Sequence, residues 1–292
     1  METYHIKQHK PEGTTKSLLW QKLTGDEGKY QDYEYPKVSI VLPTYNCAQV
    51  IGLTLESILN QEYPDFEVII VDGGSTDRTL EIVKNYREEK VRIFSVSGFQ
   101  RYEMLNKGIS QGTGAYFNFL FPGDYYIYRK TLKYLMGMAL DYQSPHMVFC
   151  GTMLRGGKTD LKIMYRHLSA SLLKKGHQPT SLQSCWLHAD VFKKIGKFNT
   201  TLKLRGGFDL FCRFVLHHHL KTVSTTRVLT DYDLRLVTRP MIATHFWETL
   251  RIVFKYFGFF ATCRWLIFQK DFLRFARLWW RGVKVALVGR NG

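Results

Sequence analysis

The sequence predicts an α/β fold: a mainly parallel central sheet with helices on both faces, followed by a helical C-terminal segment rich in aromatic and basic residues. Three observations carry this. Four short apolar runs, rich in β-branched residues, recur between residues 37 and 121. Stretches with helical periodicity separate them. Polar turns close three of the runs at the carboxyl end, where open parallel sheets bind their ligands.

The first run is KVSIVLP (37–43), an apolar strand stopped by Pro43. Ile51, Leu55, Ile58 and Leu59 then fall at i, i+4, i+7 and i+8, one face of an amphipathic helix that Tyr63-Pro64 ends. FEVIIVD (66–72) is the second strand. A GGS turn leads into the helix STDRTLEIVKNY, with Ser75 as expected N-cap and Asp77 in its first turn. VRIFSV (91–96) is the third strand, YEMLNKGIS a helix, and YFNFLF (116–121) the fourth strand, closed by Pro122-Gly123-Asp124. Further on, MVFCGTML and LKIMYRH read as a hairpin around Gly156-Gly157. HADVFKKIG and FDLFCRFVLHHHL read as helices and KTVSTTRVL as a late strand. This divides the chain into a polar arm (1–35, with a short amphipathic helix around Ser17–Leu23), a central domain (36–235) and a C-terminal segment (236–292).

Composition narrows the partners. The net charge is +16, and the residues from Arg239 onward carry ten Lys/Arg against Glu248 and Asp271, so half the excess sits in a fifth of the chain. Such a balance favours an anionic partner: a phospholipid surface, a nucleic acid or a phosphorylated substrate. Five cysteines, none at C-x-x-C spacing, read as free thiols of a reducing compartment. The N-terminus has no apolar run of a secretory signal, and no stretch reaches the roughly 18 uncharged apolar residues of a membrane span.

Three features carry chemistry. In DGGSTD (72–77) an acid ends a strand ahead of two glycines and a helix start, where backbone N–H groups can receive an anion and Asp72 can accept from a base N–H or a ribose hydroxyl. In PGDYY, Asp124 reaches the same sheet edge and can hold Mg²⁺ or Mn²⁺ beside a nucleotide diphosphate. In FDLFCRF, Asp209 opens a helix and can serve as base toward an acceptor hydroxyl, or merely offset the helix dipole. His217-His218-His219 cannot converge on one ion from a helix, whose consecutive residues diverge by about 100°.

In this order, VSIVLPTYN (38–46), TLESILNQ (54–61), VIIVDGGSTDRT (68–79), LNKGISQGTGAYFNFLFPGD (105–124) and HQPTSLQSCWLHADVFKKIGKFN (177–199) resemble glycosyltransferase family 2. The look is that of its bacterial polysaccharide members, such as colanic-acid enzymes. The resemblance, over residues 37–235, implies a GT-A fold, a nucleoside-diphosphate sugar donor, a divalent metal (Mn²⁺ or Mg²⁺) and inversion at the anomeric carbon. By position, Pro43, Thr44, Tyr45, Asp72 and Gly74 would belong to the nucleotide pocket, Asn106 and Lys107 would lie near the donor, and Asp124 would be the metal ligand. His177-Gln178 matches a pair of the same members, with an acceptor or phosphate contact as its role.

The departures are as informative. The position expected to hold the catalytic base is Gly207, and Asp209 points some 200° away from it on a helix. Asp209, Glu103 and His177 are the candidate replacements. The alternative is a catalytically impaired homologue that still binds nucleotide sugar. The tail from His245 to Val288 interleaves thirteen Phe, Trp and Tyr with Arg and Lys. That pattern suits the membrane–water interface and a protein held peripherally on the cytoplasmic face of an anionic membrane, where a glycan or polyprenyl-linked acceptor resides. A second alternative is a helical pair packed on the domain. A nucleic-acid-binding role ranks last, since no RNA or DNA module is visible.

Overall fold

The structure, a computed structural model, describes residues 3–4, 35–86, 89–156, 161–217, 219–236 and 238–267. The helix expected around Ser17–Leu23 and the tail beyond residue 267 lie outside the described residues.

The strands are β1 (Thr3–Tyr4), β2 (Val38–Thr44), β3 (Phe66–Asp72), β4 (Val91–Ser95), β5 (Tyr116–Phe119), β6 (Met147–Arg155), β7 (Leu161–Met164), β8 (Cys185–His188) and β9 (Thr222–Asp233). The helices are α1 (Ile51–Leu59), α2 (Thr79–Asn85), α3 (Arg101–Gln111), α4 (Thr131–Asp141), α5 (Ala170–Lys174), α6 (Ala189–Ile195), α7 (Gly206–Leu216) and α8 (Arg239–Ile267). They form one sheet in the order β1-β9-β6-β8-β5-β2-β3-β4, with β7 paired to β6.

β2 pairs in parallel with both β3 and β5, and β4 joins β3 in parallel. The short β8, which the sequence reading passes over, runs antiparallel between β5 and β6. β6 and β9 then pair in parallel. β6–β7 is the expected hairpin.

The apolar strands need cover on both faces, and they have it. Val38, Ile40 and Leu42 point into the core under α1 and α4, whereas Val41 points into the one under α3, α6, α7 and α8. That is period-2 alternation with both sides dry.

Two boundary differences bear on the site. α2 starts at Thr79, not Ser75: the Asp77 carboxylate accepts the Thr79 N–H at 2.9 Å and so holds the preceding turn outside the helix. β9 continues four residues past Leu229, because Thr230–Asp233 stays paired with Thr152–Arg155 of β6, and on the other side Asp231 N–H donates to Tyr125 O (2.9 Å) and Ile127 N–H to Leu229 O (3.0 Å). This extra length carries Thr230-Asp231-Tyr232-Asp233 alongside the segment after β5.

α8 is two helices joined at Gly258, whose φ of +78 and ψ of −175 are accessible essentially only to glycine. Ile252, Val253 and Trp265 are buried in the core shared with α7. No described helix is long and apolar enough to cross a membrane.

Candidate active site

Two loops at the carboxyl ends of β2 and β3 are stitched together before any ligand is considered. Asp72, fully buried, uses Oδ1 to accept from the Gly74 (3.0 Å) and Ser75 (2.8 Å) N–H groups, and Oδ2 to accept from the Thr44 (2.9 Å) and Ser75 (2.6 Å) hydroxyls. Gly74 sits at φ +85, which turns its N–H back onto the carboxylate. Asn46 Oδ1 accepts from Thr76 N–H at 2.8 Å, and Asp77 Oδ2 from Ala48 N–H at 3.1 Å. The result is a rigid rim made from TYN and DGGSTD.

Beyond this rim opens a cavity of about 970 Å³, the size of a small-molecule site. Pro43, Tyr45 and Asp77 line it on the side of these loops, and Tyr45 stacks on Phe99 at 5.6 Å. Gln100, Arg101 and Tyr102, at the start of α3, continue the wall. Asp124, Gln183, Tyr232 and Asp233 also line it, as do Lys203, Leu204, Gly207 and Phe208.

Asp124 is the unusual group. It is 2% exposed and, among the described residues, receives only two hydrogen bonds, from Gln183 Nε2 to Oδ2 (2.6 Å) and from Asp233 N–H to Oδ1 (3.1 Å). Burial raises its carboxyl to about 7, and the nearby Asp231 and Asp233 push the same way. Those two acids are themselves compensated. Arg155 reaches Asp231 at 2.8 Å and Asp233 at 3.4 Å, and donates to Gly123 O at 3.2 Å. Arg235 pairs with Asp233 at 2.8 Å, and its hydrogen bonds hold that carboxyl below the usual range.

A divalent cation fits this donor set. Each Asp124 oxygen accepts one hydrogen bond and keeps a lone pair, and oxygen ligands from one or two carboxylates plus substrate phosphates are what Mg²⁺ or Mn²⁺ takes. Among the described residues no group of three or more His, Cys, Asp or Glu stands ready as a closed cage.

The structure gathers Pro43, Tyr45 and Asp124 of the expected site residues. It moves others elsewhere. Thr44, Asp72 and Gly74 lie beneath the rim, and the Thr44 and Asp72 side chains, 0% exposed, are spent on each other and on the turn. Asn106 binds the Phe198 backbone through Nδ2 (2.8 Å to O) and Oδ1 (2.9 Å from N–H), tying α3 to the loop after α6. Lys107 and Glu103 are on the exposed side of α3 and do not line the cavity. His177 is exposed outside it; of that pair Gln178 lines the cavity, its Oε1 accepting from Arg205 at 3.0 Å.

Asp209 does not line the cavity. It is 1% exposed, paired to Arg213 at 2.9 Å and accepting from Tyr256 Oη at 2.8 Å, so it fastens α7 to α8. Gly207 does line the cavity, and the three atoms nearest a Cβ there all belong to Leu182, the first at an ordinary contact distance of 3.6 Å.

Sequence reasoning missed Gln183, Arg155 and Asp233. One signal was available: Asp231 and Asp233 alternate about Tyr232, as neighbours on one strand face do.

A mainly parallel sheet with a carboxylate-bearing cavity at its carboxyl edge is the ligand-binding arrangement of an α/β enzyme, and the family match makes this one a nucleotide-sugar-dependent glycosyltransferase of the GT-A type. Residues 39–199 match the family model "Glycosyl transferase family 2", and the chain belongs to that family. A PGL/p-HBAD biosynthesis glycosyltransferase of Mycobacterium bovis (strain BCG / Pasteur 1173P2) is 27% identical over 250 residues, 82% of this chain and 83% of the relative. An uncharacterized glycosyltransferase of Rickettsia typhi is 29% identical over 189 residues, 62% and 59% of the two chains. Among solved structures, S. aureus TarS 1–349 in complex with UDP-GlcNAc superposes with a TM-score of 0.60 at 21% identity, over 74% of this chain and 65% of that one. The mannosyltransferase PcManGT of Pyrobaculum calidifontis, in complex with GDP-Man and Mn²⁺, does so at 0.55 and 18%, over 93% and 86%. These likenesses carry the fold and the family; the expected tie to colanic-acid enzymes in particular has no counterpart among them.

Proposed function

We propose that the chain is a membrane-peripheral glycosyltransferase of surface-glycan assembly. It takes its sugar from a nucleoside-diphosphate donor, with inversion, and gives it to a glycan or polyprenyl-linked acceptor on the cytoplasmic face. The observation that carries this is Asp124: a desolvated carboxylate, held by Gln183 and the Asp233 amide at the wall of a nucleotide-sized cavity. Asp124, with Asp233 beside it, would hold Mn²⁺ or Mg²⁺, and the bound cation would neutralise charge on the departing diphosphate. Tyr45 and Phe99, aromatic and at the mouth, would receive the nucleotide base by stacking. The Mn²⁺ and nucleotide sugars bound to the structural relatives are consistent with this donor chemistry.

Membrane association rests on α8. Its inner face packs on the domain, but Trp247, Arg251 and Phe254 fall at i, i+4 and i+7 on the outside, and Phe260 is 88% exposed. Aromatic side chains interleaved with cations favour the headgroup region of anionic lipid. In flotation with anionic vesicles the full chain should float, and the triple variant Trp247→Ser, Phe254→Ser, Phe260→Ser should float several-fold less. Equal recovery of the two would remove this part.

For the enzyme itself, calorimetry with nucleoside diphosphates should give binding that needs Mn²⁺, and a panel of nucleotide sugars should release nucleoside diphosphate. Gly207 favours a second reading, a catalytically impaired nucleotide-sugar binder, since no side chain stands where a base is expected. Nucleotide binding without turnover on any acceptor would select it.

A further inference from the structure

The wall of the cavity that holds Gly207 is fixed from α8. α7 begins at Gly206, and no side chain of its own segment caps it. The three residues before it all donate to one distant carboxylate, that of Glu248. Lys203 N–H reaches Oε1 at 2.6 Å, and the Leu204 and Arg205 N–H groups reach Oε2 at 2.9 and 2.8 Å. Gly206 N–H goes to Tyr102 Oη at 2.7 Å. Glu248 is buried and does not itself line the cavity, but Lys203, Leu204, Gly207 and Phe208 do. An ionised carboxylate suits this place: it is acceptor-only, its bonds are charge-assisted, and its charge is favourable near the amino end of a helix.

A second link runs the same way. The buried Arg205 guanidinium donates to Gln178 Oε1 at 3.0 Å and to Gly176 O at 2.8 Å, and it lies over the Phe208 ring at 4.0 Å. Gln178 lines the cavity. Gly176, at φ +70, is pressed against α8 so closely that a Cβ would run into Trp265 and Thr249. Met241, near the start of α8, lines the cavity directly. The 203–208 wall therefore takes its place from a helix more than forty residues on, whereas Asp124 and the rim are set by strand ends. α8 is also fastened elsewhere, by Tyr256 Oη on Asp209 at 2.8 Å, and neither of those two residues lines the cavity. Mere docking of α8 would be served by that bond and by the apolar contacts. Glu248 instead commits a buried charge to three backbone donors that lead straight into the cavity wall.

We infer that Glu248 is a positioning residue for the second substrate: through it α8 fixes the 203–208 wall, and the fit of that wall sets the rate of transfer without touching donor binding. This rests on the donor-site reading above, which gives Tyr45, Phe99 and Asp124 to the nucleotide and leaves the Gly207 wall to the molecule that receives the sugar. Supports remote from the reacting atoms act in this manner, because a displacement of about 1 Å in a wall costs about a hundredfold in rate.

Hydrogen exchange and kinetics on the full-length protein test this. Glu248→Gln keeps the shape and one acceptor oxygen but turns an NH₂ group toward the backbone donors. The peptide covering residues 203–205 should then exchange about tenfold faster by mass spectrometry. Kinetics use Mn²⁺, the nucleotide sugar that the unmodified protein hydrolyses, and whichever glycan or polyprenyl-linked acceptor most speeds release of nucleoside diphosphate. In Glu248→Gln, kcat/KM for that acceptor should fall about tenfold or more. Hydrolysis of the donor by water, and the Kd of nucleoside diphosphate with Mn²⁺, should stay within about twofold. Glu248→Asp, acceptor-only again at shorter reach, should recover part of both losses. Tyr256→Phe, which loosens α8 at Asp209 instead, should leave transfer unchanged. Unaltered exchange at 203–205 would overturn the inference, and so would equal losses of nucleotide binding and transfer. A loss of transfer as large in Tyr256→Phe would overturn it too, since the docking of α8 as a whole would then be what matters. Failure of the unmodified protein to bind nucleoside diphosphate would refute the donor site, while the exchange result would still decide whether Glu248 holds the wall.

Discussion

Asp72 and Asp124 stand at the same edge of the sheet, both all but inaccessible, and they have opposite fates. Asp72 is met by two N–H groups and two hydroxyls, all from residues 44 and 74–75. Asp124 is met by one amide side chain and one N–H, with two further acids nearby, and its carboxyl rises to about 7. Burial alone does not mark a functional carboxylate. What marks it is burial with too few donors, because that leaves capacity for a cation or a proton.

The contrast can be broken in four ways. Asp72→Ala should be the most damaging to the fold, by about 3–5 kcal/mol in chemical denaturation, since it removes a charged acceptor and leaves its donors unpaired. A loss under 1 kcal/mol would mean the rim does not depend on it. Asp124→Asn should act on the ligand: Mn²⁺-dependent nucleotide binding about a hundredfold weaker by calorimetry, with the denaturation midpoint unchanged or raised.

The pH dependence follows with its sign. The folded-state pKa of Asp124 exceeds its ordinary value, so the folded chain holds this proton more tightly than the unfolded chain does. The metal-free protein therefore loses stability at this site as pH rises from about 4 to about 7. A cation competes with that proton. Mn²⁺-dependent nucleotide affinity should climb up to about tenfold per pH unit below 7 and level off above; a flat profile from pH 5.5 to 8 would contradict it. Smallest is Tyr256→Phe, which removes one hydrogen bond to Asp209 and should cost about 1 kcal/mol with donor turnover unchanged. A large loss of turnover would return Asp209 to the chemistry.

The N-terminal half of the domain was the legible half. Each strand from β2 to β5 is a local apolar run with its own helix or turn after it, so periodicity finds it. β8 and the end of β9 carry no such signal: β8 is four residues long, and Thr230–Asp233 joins the sheet because β6 pairs with it on one side and residues 125–127 on the other. The same holds for the site. Asp124 was visible because it closes a local strand and turn. Its partners Gln183 and Asp233 come from segments 59 and 109 residues away. Asp209 looked like a base because its short-range context is a helix start. Its role is set by Tyr256, 47 residues on.

The sequence by itself determined the α/β architecture, the glycosyltransferase family and the position of one carboxylate, because these rest on local periodicity, turn chemistry and motif order. Only the tertiary structure decided which acids are spent on the rim, which fastens α8, and which faces a cavity. Those roles depend on how many donors converge on each oxygen, and the donors arrive from distant parts of the chain.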